Sequence, residues 1–127
     1  MPAAFSFDPR TGESYLFVNP SSPYWADKAA YVQRQQPSYW ATGHPDRAIW
    51  HELGHLMHYQ NSPAAYKGEI ALSAADLATA GKVSDYAQDS LREFIAETFA
   101  ALVLGRTLPS NVSVSYTHLT LPTSDLV

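Results

Sequence analysis

Within the stretch IWHELGHLMHYQ, residues 49–60, His51, Glu52 and His55 have the types and spacing for metal chemistry. Histidines four apart lie on one face of a helix, about one turn from each other, so both imidazoles can point at a single ion. Glu52 follows the first histidine and is placed to hold a water at the ion without binding the ion itself. This is the H-E-x-x-H pattern, and it suits zinc. Two imidazoles do not complete such a site. A reactive zinc ordinarily takes three protein ligands and leaves one position open.

Several residues compete for the third place. His58 follows His55 by three residues, but it lies two turns from His51, about 10 Å along the axis, too far to share one ion. It is expected at the surface or behind the ligands. A metzincin arrangement would need glycine at 58 and histidine at 61, where this chain has His58 and Asn61. His44 precedes the helix and is expected to cap it or face solvent. The stronger candidates are Glu93 and Glu97 in SDYAQDSLREFIAETFAALVLG, residues 84–105. They share one face of a largely apolar helix, where a carboxylate pair is costly to bury unless something cationic meets it. An ion with its ligand imidazoles would do so, with Glu93 binding the ion and Glu97 accepting a hydrogen bond from the other nitrogen of a ligand histidine. Ser90 and Glu93 also read as a capping box, in which Glu93 folds back on the Ser90 amide, and that alternative stands on the spacing alone.

These residues need elements to position them. Apolar residues Ala48, Ile49, Leu53, Leu56 and Met57 recur at helical spacing, so a helix is expected from Pro45 to about residue 60. Gly54 inside it costs about 1 kcal/mol relative to alanine. Close approach of a second helix bringing its ligand to the metal would account for it, as would a plain packing contact. The runs AFSF and SYLFVN flank DPRTG, which has good turn chemistry, so a hairpin or at least a strand at 14–19 is expected. That strand is the candidate edge for an extended peptide. Ser22 and Pro23 start a helix over about 23–35. A short helix is expected over 69–80, a loop over 82–90, and a last helix from Ser90 to Gly105.

The 127 residues allow one domain with a real core. Net charge is −4 with no block of lysine or arginine, so there is no electrostatic case for nucleic acid or an anionic membrane surface. No run approaches a membrane span, and the first 20 residues lack the basic start and apolar stretch of a signal peptide. The absence of cysteine excludes disulfides and thiolate ligands. A cytoplasmic or phage-associated location is the expectation.

HELGH followed by YAQDSLREFIAETFA resembles the gluzincin metallopeptidases. It looks most like the protease domain at the C-terminus of anthrax lethal factor and related domains in phage head-morphogenesis proteins. In that family a Tyr–x6–Glu–(aromatic)–x–Ala–Glu segment follows the histidine helix, and Tyr86, Glu93, Phe94, Ala96 and Glu97 match it in type and spacing. The resemblance covers about residues 48–105. It implies an α+β, α-rich, zincin-like minimal metallopeptidase with a small N-terminal β element packed on the histidine helix. It further implies zinc held by His51, His55 and Glu93, with Glu52 as general base, Tyr86 assisting at the oxyanion and Glu97 behind the ligands. The function implied is a zinc endopeptidase acting on a peptide or protein. The alternative is a non-catalytic metal-binding domain of a larger phage-head or toxin polypeptide.

The C-terminus carries a different resemblance. Residues 114–123, VSYTHLTLPT, are similar to one translated frame of a transposase-type sequencing adapter, and 124–126 would fit a short index. The domain is therefore expected to occupy residues 1–113 and to have continued past Ser113, with 114–127 non-native and His118 and Tyr116 without functional weight.

Overall fold

The computed structural model describes residues 1–68 and 71–120. It is α-rich, with one two-stranded antiparallel sheet formed by β1 (Ala3–Phe7) and β2 (Ser14–Val18). The register pairs Ala3 with Val18 and Phe7 with Ser14. Asp8 and Gly12 close the turn between them, with the Asp8 carbonyl accepting from the Gly12 amide at 2.8 Å. Gly12 sits at φ +79°, in the left-handed region that glycine enters at little cost. The Tyr59 hydroxyl donates to the Gly12 carbonyl at 3.0 Å and ties this turn to the central helix.

The helix expected over 23–35 is two short helices, α1 (Pro23–Ala26) and α2 (Lys28–Gln33). Asp27 breaks it. The residue lies at φ −155°, ψ 90°, and its carboxylate accepts from the Ala30 amide at 3.0 Å. A short polar side chain able to cap a new helix competes with continuing the old one.

The central helix α3 (Arg47–Asn61) packs lengthwise against α6 (Leu91–Val103). Between them the chain forms α4 (Pro63–Lys67), α5 (Ala74–Ala80) and a 3-10 turn at Tyr86–Gln88. The helix expected to begin at 69 begins after Ser73, whose hydroxyl accepts from the Asp76 amide; residues 69–70 lie outside the described residues. Ser90 caps α6, accepting from the Glu93 amide at 3.2 Å, and Gly105 at φ +90° ends it.

The apolar core lies on the side of α6 away from the sheet. Val83, Ala87, Leu91, Phe94, Ile95 and Ala101 form it together with Leu108 and Val112. Val112 belongs to a helix not expected from the sequence, α7 (Ser110–Leu119), whose Tyr116 and Leu119 also pack on the core. This helix crosses the domain boundary expected at Ser113; residues 121–127 of the tail lie outside the described residues. Among the described residues no helix is long and apolar enough to cross a membrane.

Candidate metal centre

α3 presents His51 and His55 toward α6, with their Nε2 atoms 3.1 Å apart. Glu93, one turn into α6, places Oε1 2.9 Å from His51 Nε2 and 2.8 Å from His55 Nε2. Its other oxygen accepts from the Tyr86 hydroxyl at 2.7 Å. The capping alternative is thus resolved by dividing the residue: the Glu93 backbone amide serves the Ser90 cap, while its side chain turns to the histidines.

Glu97, one turn further along α6, is buried and carries three partners. Oε2 lies 2.7 Å from His51 Nδ1, and Oε1 accepts from the Ala41 amide at 2.8 Å and the Ser84 hydroxyl at 2.9 Å. A carboxylate at Nδ1 favours the proton there and leaves Nε2 facing Glu93 and His55. His55 has no such brace: its Nδ1 is buried without a partner among the described residues.

Glu52 stands on the sheet side of the cluster. Its Oε1 accepts from the Phe5 amide at 2.8 Å, and Oε2 lies 3.9 Å from His51 Nε2. The bonds of Asn19 to Pro2 and of Asp8 to Glu13 place the even-numbered residues of the first strand in the ladder. Alternation then turns the backbone groups of Ala3, Phe5 and Phe7 to the strand's outer edge. The edge facing the site is therefore that of β1, not the strand at 14–19, whose residues Tyr15 to Val18 are exposed.

Tyr86 stacks on His51 with ring centroids 5.4 Å apart, and Tyr39 stacks on its other face at 5.2 Å. Trp40 meets Tyr86 edge-on. His58 is not at the surface. It is 2% exposed, its ring meets that of Tyr66 edge to face, and neither ring nitrogen has a hydrogen-bond partner among the described residues. It sits on α3 past His51 and His55, where the aromatic cluster of Phe5, Phe7, Tyr59 and Tyr66 closes over the helix. His44 is half-exposed, and its Nδ1 accepts from the Asp46 amide just ahead of α3.

The electrostatics follow from the packing. Burial works against a cation at His51, but the hydrogen bonds to Glu93 and Glu97 outweigh it and raise its pKa to about 10. Burial likewise opposes the charge on Glu93, yet the two imidazoles hold it well below the usual carboxylate range. At Glu52 burial wins and the pKa is raised despite the neighbouring histidines. Burial and the bond to Glu93 push the Tyr86 phenol up. A protonated imidazole held between buried carboxylates is an arrangement in which a divalent cation can take the proton's place.

His51, Glu52 and His55 form a cluster that could hold a metal ion, their ligand atoms lying within 4.8 Å of one another. The distances favour Glu93 over Glu52 as the oxygen nearest both imidazoles. Bonds of about 2.0–2.1 Å in a tetrahedron give ligand–ligand edges of about 3.3 Å. The His51–His55–Glu93 triangle is smaller by a few tenths of an ångström, a difference that side-chain rotation can absorb. Two neutral nitrogens and a carboxylate oxygen are a donor set zinc accepts.

No family model, curated protein or solved structure matched this chain.

The residues that sequence patterns did not reveal are those reaching the site from far along the chain: Ala41 and Ser84 at Glu97, Phe5 at Glu52, and Tyr39 and Trp40 around Tyr86. A backbone amide and a loop hydroxyl carry no spacing signal.

Proposed function

We propose that this chain is a zinc-dependent endopeptidase. The observation that carries the reading is the convergence of His51 Nε2, His55 Nε2 and Glu93 Oε1, with a second carboxylate, Glu52, beside them but held by a strand edge. His51, His55 and Glu93 would hold the metal, which when bound supplies Lewis acidity that polarises a carbonyl and acidifies water.

The chain's own groups would do the rest. Glu52 is raised in pKa by burial and keeps Oε2 toward the histidines, so it can take a proton as general base and pass it to a leaving amine. The Tyr86 hydroxyl stays protonated across the working pH range and can donate a hydrogen bond to a developing oxyanion in place of Glu93. Glu97 holds the His51 ring in orientation. The outer edge of β1, with the Ala3 and Phe7 backbone groups and the Phe5 carbonyl, offers an extended peptide main-chain bonds beside Glu52, which holds the Phe5 amide.

The test is zinc content together with turnover, in the parent and in two variants. The parent should hold about one zinc per chain and cleave peptides. Glu93→Ala should lose the metal. Glu52→Gln keeps an oxygen for the Phe5 amide, so it should retain the metal and lose activity by about two to four orders of magnitude. Zinc retained with no turnover in any form would reject the peptidase reading and favour a metal-holding domain of a larger phage-head or toxin protein. Activity that survives Glu52→Gln would remove Glu52 as the base.

A further inference from the structure

Arg47 is the first residue of α3 and is 5% exposed. One of its terminal nitrogens donates to the Thr42 carbonyl at 3.0 Å; the other is buried with no hydrogen-bond partner among the described residues. The guanidinium lies over the Trp40 ring, 4.9 Å from its centroid, and no carboxylate among the described residues pairs with it. The position is unfavourable twice over. A buried cation with no carboxylate at ion-pair distance bears a desolvation cost, which outweighs the attraction of the nearby Glu97 charge and lowers the Arg47 pKa. The N-terminus of a 15-residue helix adds the positive end of the macrodipole, which disfavours cations and favours anions.

Arg47 lines a cavity of about 230 Å³ together with Met1, Pro2, Tyr24, Tyr31, Trp40 and Ala48. Trp40 and Ala48 also line a smaller recess of about 70 Å³ that reaches His51, Glu52 and Tyr86. Met1 and Pro2 also line both, so the two spaces share walls beside the metal centre.

Resting on the peptidase reading, we propose that Arg47 and its aromatic cavity form a substrate subsite that binds a carboxylate. Its distance from the reacting bond follows from the helix. Arg47 precedes His51 by one turn on the same face, about 6 Å along the axis, whereas an extended peptide spans about 3.3–3.6 Å per residue. The carboxylate therefore belongs to a residue one or two positions from the cleaved bond. The cavity exceeds the volume of a carboxylate alone and accepts the apolar body that carries it. Two sources share this chemistry: the terminal carboxylate of the substrate, or an aspartate or glutamate side chain. The first would make the enzyme trim chain ends; the second would make it cut beside acidic residues.

The test begins with binding to the zinc-free full chain, so that no carboxylate can bind the metal. N-acetyl-phenylalanine is titrated against its amide, and N-acetyl-glutamate α-amide against N-acetyl-glutamine α-amide, with Trp40 fluorescence and the Arg47 side-chain NMR signal as readouts. One acid should bind at least tenfold more tightly than its amide, and the pair that discriminates identifies the source. Arg47→Met should abolish the preference while leaving stability unchanged or raised, because it removes a buried charge that has no ion-pair partner among the described residues. Arg47→Lys should retain a reduced preference. Equal binding of acids and amides by the wild-type chain overturns the proposal without reliance on any variant. On the zinc-loaded chain, kcat/KM for peptides should follow the same preference. Turnover without any acid preference would overturn the subsite and leave the peptidase reading intact. Acid preference in binding without turnover of any peptide would keep the anion site and reject the peptidase reading.

Discussion

Gly54 of α3 lies directly against Ala96 of α6. A Cβ on Gly54 would meet the Ala96 Cα at 2.9 Å and its carbonyl oxygen at 3.1 Å. These are backbone atoms, so no rotamer change relieves the contact. The approach is what brings Glu93 and Glu97, on the turns either side of Ala96, onto the two histidines. Gly54→Ala should therefore force the helices apart. The helix-propensity gain of about 1 kcal/mol opposes an overpacking cost of about 1–3 kcal/mol. A modest net loss of stability in urea melts and at least a tenfold loss of zinc affinity are expected. A more stable variant with unchanged zinc affinity would show that the interhelix distance does not govern the site.

Glu97 can be tested without emptying its place. In Glu97→Gln the carbonyl oxygen can still accept from Ala41 and Ser84, but the amide nitrogen would face His51 Nδ1 as a second donor. The imidazole would then favour a proton on Nε2, the atom turned to His55 and Glu93. Zinc affinity should fall by about 10–100-fold, while any turnover per bound zinc, which the proposed function assigns to Glu52, should change much less. Competition with a chelator of known affinity measures the first effect, and turnover at saturating zinc the second.

The metal-free centre should titrate measurably. His51 has a folded pKa of about 10, above its ordinary value of 6.5. Its contribution to stability is complete below pH 6.5 and is lost as pH rises through about 10. Zinc must displace that proton, so zinc affinity should climb about tenfold per pH unit between these limits. Calorimetry near pH 7 in two buffers of different ionisation enthalpy should show about one proton released per zinc. Binding without proton release would mean that His51 is already neutral.

His58 predicts acid sensitivity. Burial first, and then the positive neighbours His55 and Arg92, lower its pKa to about 4. Above pH 6.5 it is neutral folded or unfolded and contributes no pH dependence. As pH falls from 6.5 toward 4, only the unfolded chain takes the proton, and stability drops by roughly 3 kcal/mol. His58→Phe keeps the ring against Tyr66 and removes the titration. Urea melts should show a change of about 1 kcal/mol or less at pH 8 and a clear gain near pH 4.5. Equal pH dependence in the two proteins would place the acid sensitivity elsewhere.

What the sequence by itself determined is local. Histidines four apart on an apolar-periodic helix must share a face, and Glu93 and Glu97 must do the same, because helix geometry requires it. The turn at Asp8–Gly12, the serine caps at 22 and 90 and the stop at Gly105 are also set by residues within a few positions of each other. Asp27 shows the limit even there: capping a new helix and continuing an old one differ by too little for pattern alone to decide. The tail shows another, since α7 is held by packing of Val112, Tyr116 and Leu119 on a core that no local motif announces. Only the tertiary structure decided that Glu93 meets both imidazoles while Ser90 still caps its helix. It also decided that Ala41 and Ser84 complete Glu97, that the edge of β1 reaches Glu52, that His58 is buried and that Arg47 has no carboxylate at ion-pair distance among the described residues. Those contacts join positions 13 to 56 residues apart in the chain, or depend on what packs around one side chain. They exist because Gly54 lets α3 and α6 approach until carboxylate and imidazole are within bonding distance.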